Sequence, residues 1–253
     1  MNELMAGAEP MSVPGGPAGA LVLHGFTGSP DSMRGVATGL AAVGFTVELP
    51  RLPGHGTTVE DMLTTRWSDW STAAEDAYFD LAGRCESVVV AGLSMGATLT
   101  LWLAARHPQI AGIACVNPAT RPQPPEVVAM IEAALDGGDE TMAGIGSDIA
   151  KDGVVEVAYE LTPLRPLLSL VDALDELQED LSRISCPLLL LTSPQDHVVD
   201  PGDSDHLAAE VSGPVTRVSL EQSYHVATQD HDAGLVVSEI VAFARTVSEA
   251  PAP

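Results

Sequence analysis

The chain has 253 residues, 45% of them apolar, and a formal net charge of −24 from 35 acidic against 11 basic side chains. That is enough apolar material for a full core, and the length suits one α/β domain carrying an insertion better than two independent domains. So acidic a surface repels phosphate backbones and anionic lipid, which excludes nucleic acid as an expected partner.

Short apolar runs alternate with longer amphipathic stretches, which predicts a mostly parallel sheet with helices on both faces. Ala20 to Leu23 reads as a short buried strand ending at His24-Gly25. Ser29-Pro30 then reads as an N-cap followed by proline at the first helical position, opening a helix to about Ala42 that Gly44 stops. Phe45 to Leu49 is the next strand, and Pro50, Pro53, Gly54 and Gly56 make the loop after it rigid and irregular. A helix from about Trp67 to Ala82 leads to the strand Ser87–Ala91, followed by Gly92-Leu93-Ser94-Met95-Gly96 and a helix from Ala97 to Arg106. Ile110 to Val116 is one more buried strand.

From Asn117 to about Ile184 the character changes. Prolines cluster at 118, 122, 124 and 125, a glycine-rich piece surrounds Gly137 to Gly146, and short acidic helices are expected up to Ser185. This is too long for a bare loop, so it is expected to carry its own structure as an insertion. The αβ rhythm then resumes with a strand at Pro187–Leu191, a helix at Pro201–Val211, a strand at Val215–Leu220 and a last helix from about Asp230 to Val247. The Pro-Ala-Pro end is expected to fray.

Cys85, Cys115 and Cys186 are odd in number and form no CxxC, so free thiols in a reducing cytosol are expected rather than zinc or disulfides. Met1 to Ala20 lacks a basic segment followed by an apolar one, so no signal peptide is expected. No apolar run approaches the ~20 residues of a membrane span. Lys151 is the single lysine, and the preference for arginine fits coding bias, while the acidic excess also fits a salt-adapted host.

The sharpest motif is Gly92-x-Ser94-x-Gly96 between a strand and a helix. A nucleophile on a strained strand-to-helix turn needs tiny residues two positions to either side, so that the two backbones can approach. The helix N-terminus then offers the Met95 N–H to an oxyanion. A second donor should come from the loop after an earlier strand, where His24-Gly25-Phe26-Thr27-Gly28 places the Phe26 N–H. Taken singly, a chance glycine pair or an ordinary strand-end turn would explain either motif. Their co-occurrence in the expected order favours chemistry.

The base and its orienting acid should follow in the order serine, acid, histidine. Of seven histidines, His225 lies on the loop between the last strand and the last helix, beside the elbow, with His231 as the fallback. Asp196 sits a few residues past the Leu188–Leu191 strand, the usual position of an orienting carboxylate, whereas Asp200 before Pro201 reads better as a helix cap. No phosphate loop, dinucleotide fingerprint or metal cluster competes, so no cofactor is expected.

The strings HGFTGSPDSMRGVA, FTVELPRLPGHGTTVEDM and GLSMGATLTLWLA, the Trp67-x-x-Trp70 pair, IGSDI, AYELTP, DHVVDPG and SYHVATQD resemble bacterial monoacylglycerol lipases and the small thermostable carboxylesterases of the α/β-hydrolase superfamily. The resemblance covers most of the chain, the inserted segment included. It implies a cytoplasmic, cofactor-free serine esterase with a small helical cap over residues 117–184 between core parts 1–116 and 185–253. It also implies a small-molecule ester substrate and no stable membrane anchor. Ser94, Asp196 and His225 match the family's catalytic triad, Ile145 a position lining the acyl or alcohol pocket, and Glu156 one that contacts glycerol hydroxyls. Glu156 could equally be an exposed helix charge. Ala97, where relatives often carry glycine, departs from the pattern. The rivals to monoacylglycerol hydrolysis are a general carboxylesterase, a hydrolase-fold binding protein without catalysis, and acyl transfer to an alcohol.

Overall fold

The computed structural model describes residues 3–249; the Pro-Ala-Pro end expected to fray lies outside them. In chain order, the elements before the insertion are β1 (Met11–Val13), β2 (Ala18–Leu23), α1 (Arg34–Ala42), β3 (Thr46–Leu49), α2 (Val59–Leu63), α3 (Trp67–Ala82), β4 (Ser87–Leu93), α4 (Met95–Arg106) and β5 (Gly112–Val116). Within residues 117–184 follow α5 (Pro125–Asp136), β6 (Thr141–Ala143), β7 (Leu161–Pro163) and α6 (Leu164–Gln178). The core resumes with β8 (Leu188–Thr192), α7 (Gly202–Glu210), β9 (Val215–Ser219) and α8 (Ala233–Glu249).

Seven strands form one sheet in the order β1-β3-β2-β4-β5-β8-β9. All its pairs are parallel except β1 with β3. Parallel strands buried on both faces need near-continuous apolar sequence, and β4 and β5 are buried almost throughout. On one face, Leu21, Leu23, Val90 and Cys115 pack with Trp70, Tyr78 and Leu101 of α3 and α4. On the other, Val22, Val89, Ala91 and Val116 pack with Leu40 of α1 and Val236 and Ile240 of α8.

The register levels the carboxyl ends of the central strands. Leu23 pairs with Gly92, Leu93 with Val116, and Val116 with Leu191. The loops that leave these ends therefore emerge side by side, the crevice where open α/β sheets bind ligands.

Several local expectations are corrected. Pro30–Met33 is a separate 3-10 turn, and Ser29 uses its carbonyl, accepting from Ser32 N and Oγ at 3.2 and 3.0 Å, rather than its hydroxyl. Helix α7 starts at Gly202 with Pro201 at its N-cap, not Asp200, whose carboxylate instead accepts the Gly202 N–H at 2.7 Å in the turn before the helix. The glycine-rich piece becomes one strand of a two-stranded antiparallel ribbon, Met142 opposite Thr162. Where short acidic helices were expected, α6 is a single helix of 15 residues burying Leu170, Leu174 and Leu177. All three cysteines are free, with Cys115 buried and the other two half-buried. No helix among the described residues is long and apolar enough to cross a membrane.

Trp70 is fully buried, and its indole N–H donates to the Pro53 carbonyl at 3.0 Å, pinning the irregular loop after β3 to α3. Trp70→Ala is expected to cost about 3–5 kcal/mol, read from equilibrium denaturation. A loss below about 1 kcal/mol would contradict this packing.

Candidate active site

Ser94 caps α4 with φ +55 and ψ −121, a left-handed conformation that an L-residue adopts only under constraint. The constraint comes from the neighbouring glycines. A Cβ on Gly92 would overlap the Gly96 carbonyl, and one on Gly96 would overlap the Leu23 carbonyl at the end of β2. The Ser94 N–H donates to Val116 O at 3.0 Å, which fastens the elbow to β5. Met95 is the first residue of α4, so its N–H is one of the donors the helix cannot satisfy internally.

The loop after β2 lies directly against this elbow. A Cβ on Gly25 would stand 3.5 Å from the Ser94 Cβ, ordinary van der Waals contact, which shows how close the turn comes to the elbow. Thr27 follows at φ +58, its hydroxyl donating to Phe26 O at 2.6 Å. His24 beneath is fully buried. Its Nδ1 donates to Gly25 O at 3.0 Å and its Nε2 accepts the Leu52 N–H at 3.1 Å. Burial, only partly offset by the Gly25 hydrogen bond, lowers its pKa to about 4. It is therefore a neutral brace of the turn at ordinary pH.

His225 and Asp196 meet as an ion-pair-distance couple, Nδ1 to Oδ2 at 2.7 Å, with side chains 8% and 2% exposed. The other Asp196 oxygen accepts the Val198 and Val199 N–H groups, each at 2.8 Å. With Nδ1 spent on the carboxylate, Nε2 is the nitrogen left to take a proton. Ser94 and His225 line one cavity of about 350 Å³.

Of the residues singled out from sequence, this cavity gathers Ser94, His225, Phe26, Ile145 and Glu156. Asp196 stands behind His225, and Met95 is buried directly after Ser94. His231 does not line the cavity; its N–H donates to Asp230 Oδ1 at 2.7 Å. The remaining walls are largely apolar, with Val127, Ile131, Met142, Leu170 and Val171 among them. Ile145 is 67% exposed at its edge. Glu156 is no surface helix charge. Its Oε1 would lie 2.8 Å from a Cβ on Gly28, so that glycine makes room for a carboxylate beside the Phe26 turn. Burial pushes its carboxyl up to about 7, with nearby His225 pulling it down and Asp31 pushing it up.

Asn117 carries a role its sequence position did not suggest. At φ +44, directly after β5, it donates from Nδ2 to His225 O at 2.8 Å and to Ser193 Oγ at 3.0 Å. Its Oδ1 accepts the Ser193 N–H at 2.8 Å. One amide thus ties the loop carrying the acid to the loop carrying the base. An asparagine just past a central strand, a type that tolerates left-handed φ, is the signal that could have flagged it. Asp230 is likewise more than a helix start. It accepts from the backbone N–H groups of Ala150, Lys151, Tyr224 and His231 at 2.7–2.9 Å. Burial raises its pKa, but those four donors outweigh it and leave the carboxyl below its usual range.

A serine on a strained elbow and an imidazole oriented by a carboxylate thus share one cavity, the kind of arrangement that acyl transfer uses. No group of three or more potential metal ligands gathers among the described residues.

The alpha/beta hydrolase family model matches residues 20–239, and the chain belongs to that family. It is 43% identical over 244 residues to the thermostable monoacylglycerol lipase of Bacillus sp. (strain H-257), covering 95% of each chain. It is 26% identical over 237 residues to a carboxylesterase of Bacillus subtilis (strain 168), covering 93% of this chain and 95% of that one. A solved structure from work on LipS and LipT, two metagenome-derived lipolytic enzymes, matches with a TM-score of 0.92 at 40% identity, covering 96% of this chain and 100% of the other.

Asn117→Gly keeps the backbone freedom at φ +44 but deletes the amide that joins the two loops. It is expected to cost about 1–3 kcal/mol of stability, because buried partners are left unpaired. It should also lower ester turnover, measured as kcat well below the melting temperature; unchanged kcat would contradict the role.

Proposed function

We propose that this protein is a serine esterase that hydrolyses monoacylglycerols to fatty acid and glycerol through an acyl-enzyme. Ser94 attacks the acyl carbon while His225 Nε2 takes its proton, and Asp196 holds the ring and balances the imidazolium. The Phe26 and Met95 N–H groups receive the oxyanion, each donor worth about 3 kcal/mol in other hydrolases. His225 then protonates the leaving alcohol, and a water deacylates Ser94 by the same path. The segment 117–184 acts as a cap that hides the acyl chain from water. A small-molecule ester is the proposed partner, and the free thiols favour a reducing, cytoplasmic setting.

The single observation that carries the diol-ester reading is Glu156 within the cavity shared by Ser94 and His225, whose walls are otherwise largely apolar. An ionised carboxylate accepts from two hydroxyls at once, which suits a glycerol leaving group and gives nothing to a simple alkyl ester. The 43% identity to a monoacylglycerol lipase supports the same choice.

Turnover of 1-monoacylglycerol is therefore expected to exceed that of alkyl esters of the same acyl chain. Equal specificity constants would leave a general carboxylesterase. The preference should also depend on pH, because a carboxyl near 7 is largely protonated below that value and ionised above it. The ratio of kcat/KM for monoacylglycerol over alkyl ester should rise between about pH 6 and pH 8 and become flat in Glu156→Gln. Using the ratio cancels pH effects on the steps that both substrates share.

A further inference from the structure

The catalytic couple is held from a direction that the triad reading leaves unused. Asp148 belongs to the inserted segment and is itself only 10% exposed. One of its oxygens, Oδ2, accepts the backbone N–H of His225 at 3.0 Å and that of His197 at 3.2 Å. His225 is the base, and His197 directly follows the acid, Asp196. The Asp148 carbonyl in turn accepts the Val226 N–H at 3.1 Å. Its other oxygen, Oδ1, meets His197 Nδ1 at 2.8 Å, and that ring packs edge-on against Tyr224, the residue before the base, at 4.5 Å.

We propose that Asp148 is a positioning residue, a carboxylate of the inserted segment that fixes the acid loop and the base loop relative to each other by binding the backbone of both. This rests on the triad reading above and adds a residue to it. The His197 side chain is 57% exposed, so its pairing with Asp148 is a screened surface contact worth little. The backbone bonds matter more, since losing the carboxylate would leave the buried His225 N–H without an acceptor. Asp230 reinforces the joint with bonds of its own. It belongs to the core, yet it holds Ala150 and Lys151 of the insertion together with Tyr224 of the base loop. Residues 148–151 are therefore bolted to the catalytic loops twice, which places part of the insertion inside the catalytic scaffold.

The test compares wild type, Ser94→Ala and variants at 148 and 197 of the full chain, using p-nitrophenyl butyrate and thermal melting. Asp148→Ala is expected to lower kcat about 10- to 100-fold with KM within about threefold, the scale of a reacting group misplaced by about 1 Å. Asp148→Asn keeps one oxygen for both backbone donors, and its amide can face the other His197 tautomer. It should hold kcat within about threefold of wild type. His197→Ala retains the backbone N–H and should do the same. If Asp148→Ala yields no folded protein, Asp148→Glu decides, since it keeps the charge but moves the oxygens by one methylene. Lowered kcat there supports the proposal, and wild-type kcat overturns it. A folded Asp148→Ala whose melting temperature falls while kcat stays within about twofold also overturns it, leaving a carboxylate that serves stability alone. Wild type that neither turns over the ester nor takes up a fluorophosphonate overturns the triad reading and this inference together.

Discussion

The close crossing of β2, β4 and α4 is the constraint on which the rest depends. Strand and helix meet so tightly at Gly92 and Gly96 that neither position has room for a Cβ. Ser94 between them is driven to φ +55. Such a backbone costs of order 1–3 kcal/mol and persists only where its surroundings over-determine it. Here the surroundings are the sheet itself. The β4–β5 ladder and the Ser94 N–H bond to Val116 lock the turn from one side, and the end of β2 locks it from the other. The same crossing brings the Gly25–Phe26 turn against Ser94, so the proposed nucleophile and oxyanion donors share one packing event.

The acid and base reach the same point by different means. Their strands end level with β4 and β5, but loops leaving a level edge can still point anywhere. Asn117 removes that freedom from the core side by bonding Ser193 and the His225 carbonyl. The inserted segment removes it from above. Tyr159 donates its N–H to Thr27 O at 3.1 Å and its hydroxyl to Gly54 O at 2.8 Å, so the insertion also grips the turn after β2. Segment and core are thus joined around the site, and both line the largely apolar cavity.

Much of this was legible because it follows from local chemistry. The helix Trp67–Ala82 was read at its observed bounds, since its apolar period and its flanks agree. The glycines of the elbow rest on a short-range steric rule, while the order serine–acid–histidine and the choice of Asp196 rest on chain order and on position just past a strand end. Other features were illegible for physical reasons. The three-residue edge strand Met11–Val13 carries too few positions to display a period. Helix α5 begins at Pro125 inside a proline cluster that signals loop by composition, although proline at a first helical position is favourable. Asn117, Asp148 and Asp230 act through backbone groups up to 108 residues away in sequence, and such partners leave no local trace.

The most direct test of the central claim is to find where a covalent inhibitor lands. Intact protein treated with a fluorophosphonate should gain one adduct, and peptide mapping should place it on Ser94. Ser94→Ala, folded to the same melting curve, should gain none. An adduct on another residue, or none on the intact protein, would contradict Ser94 as the nucleophile.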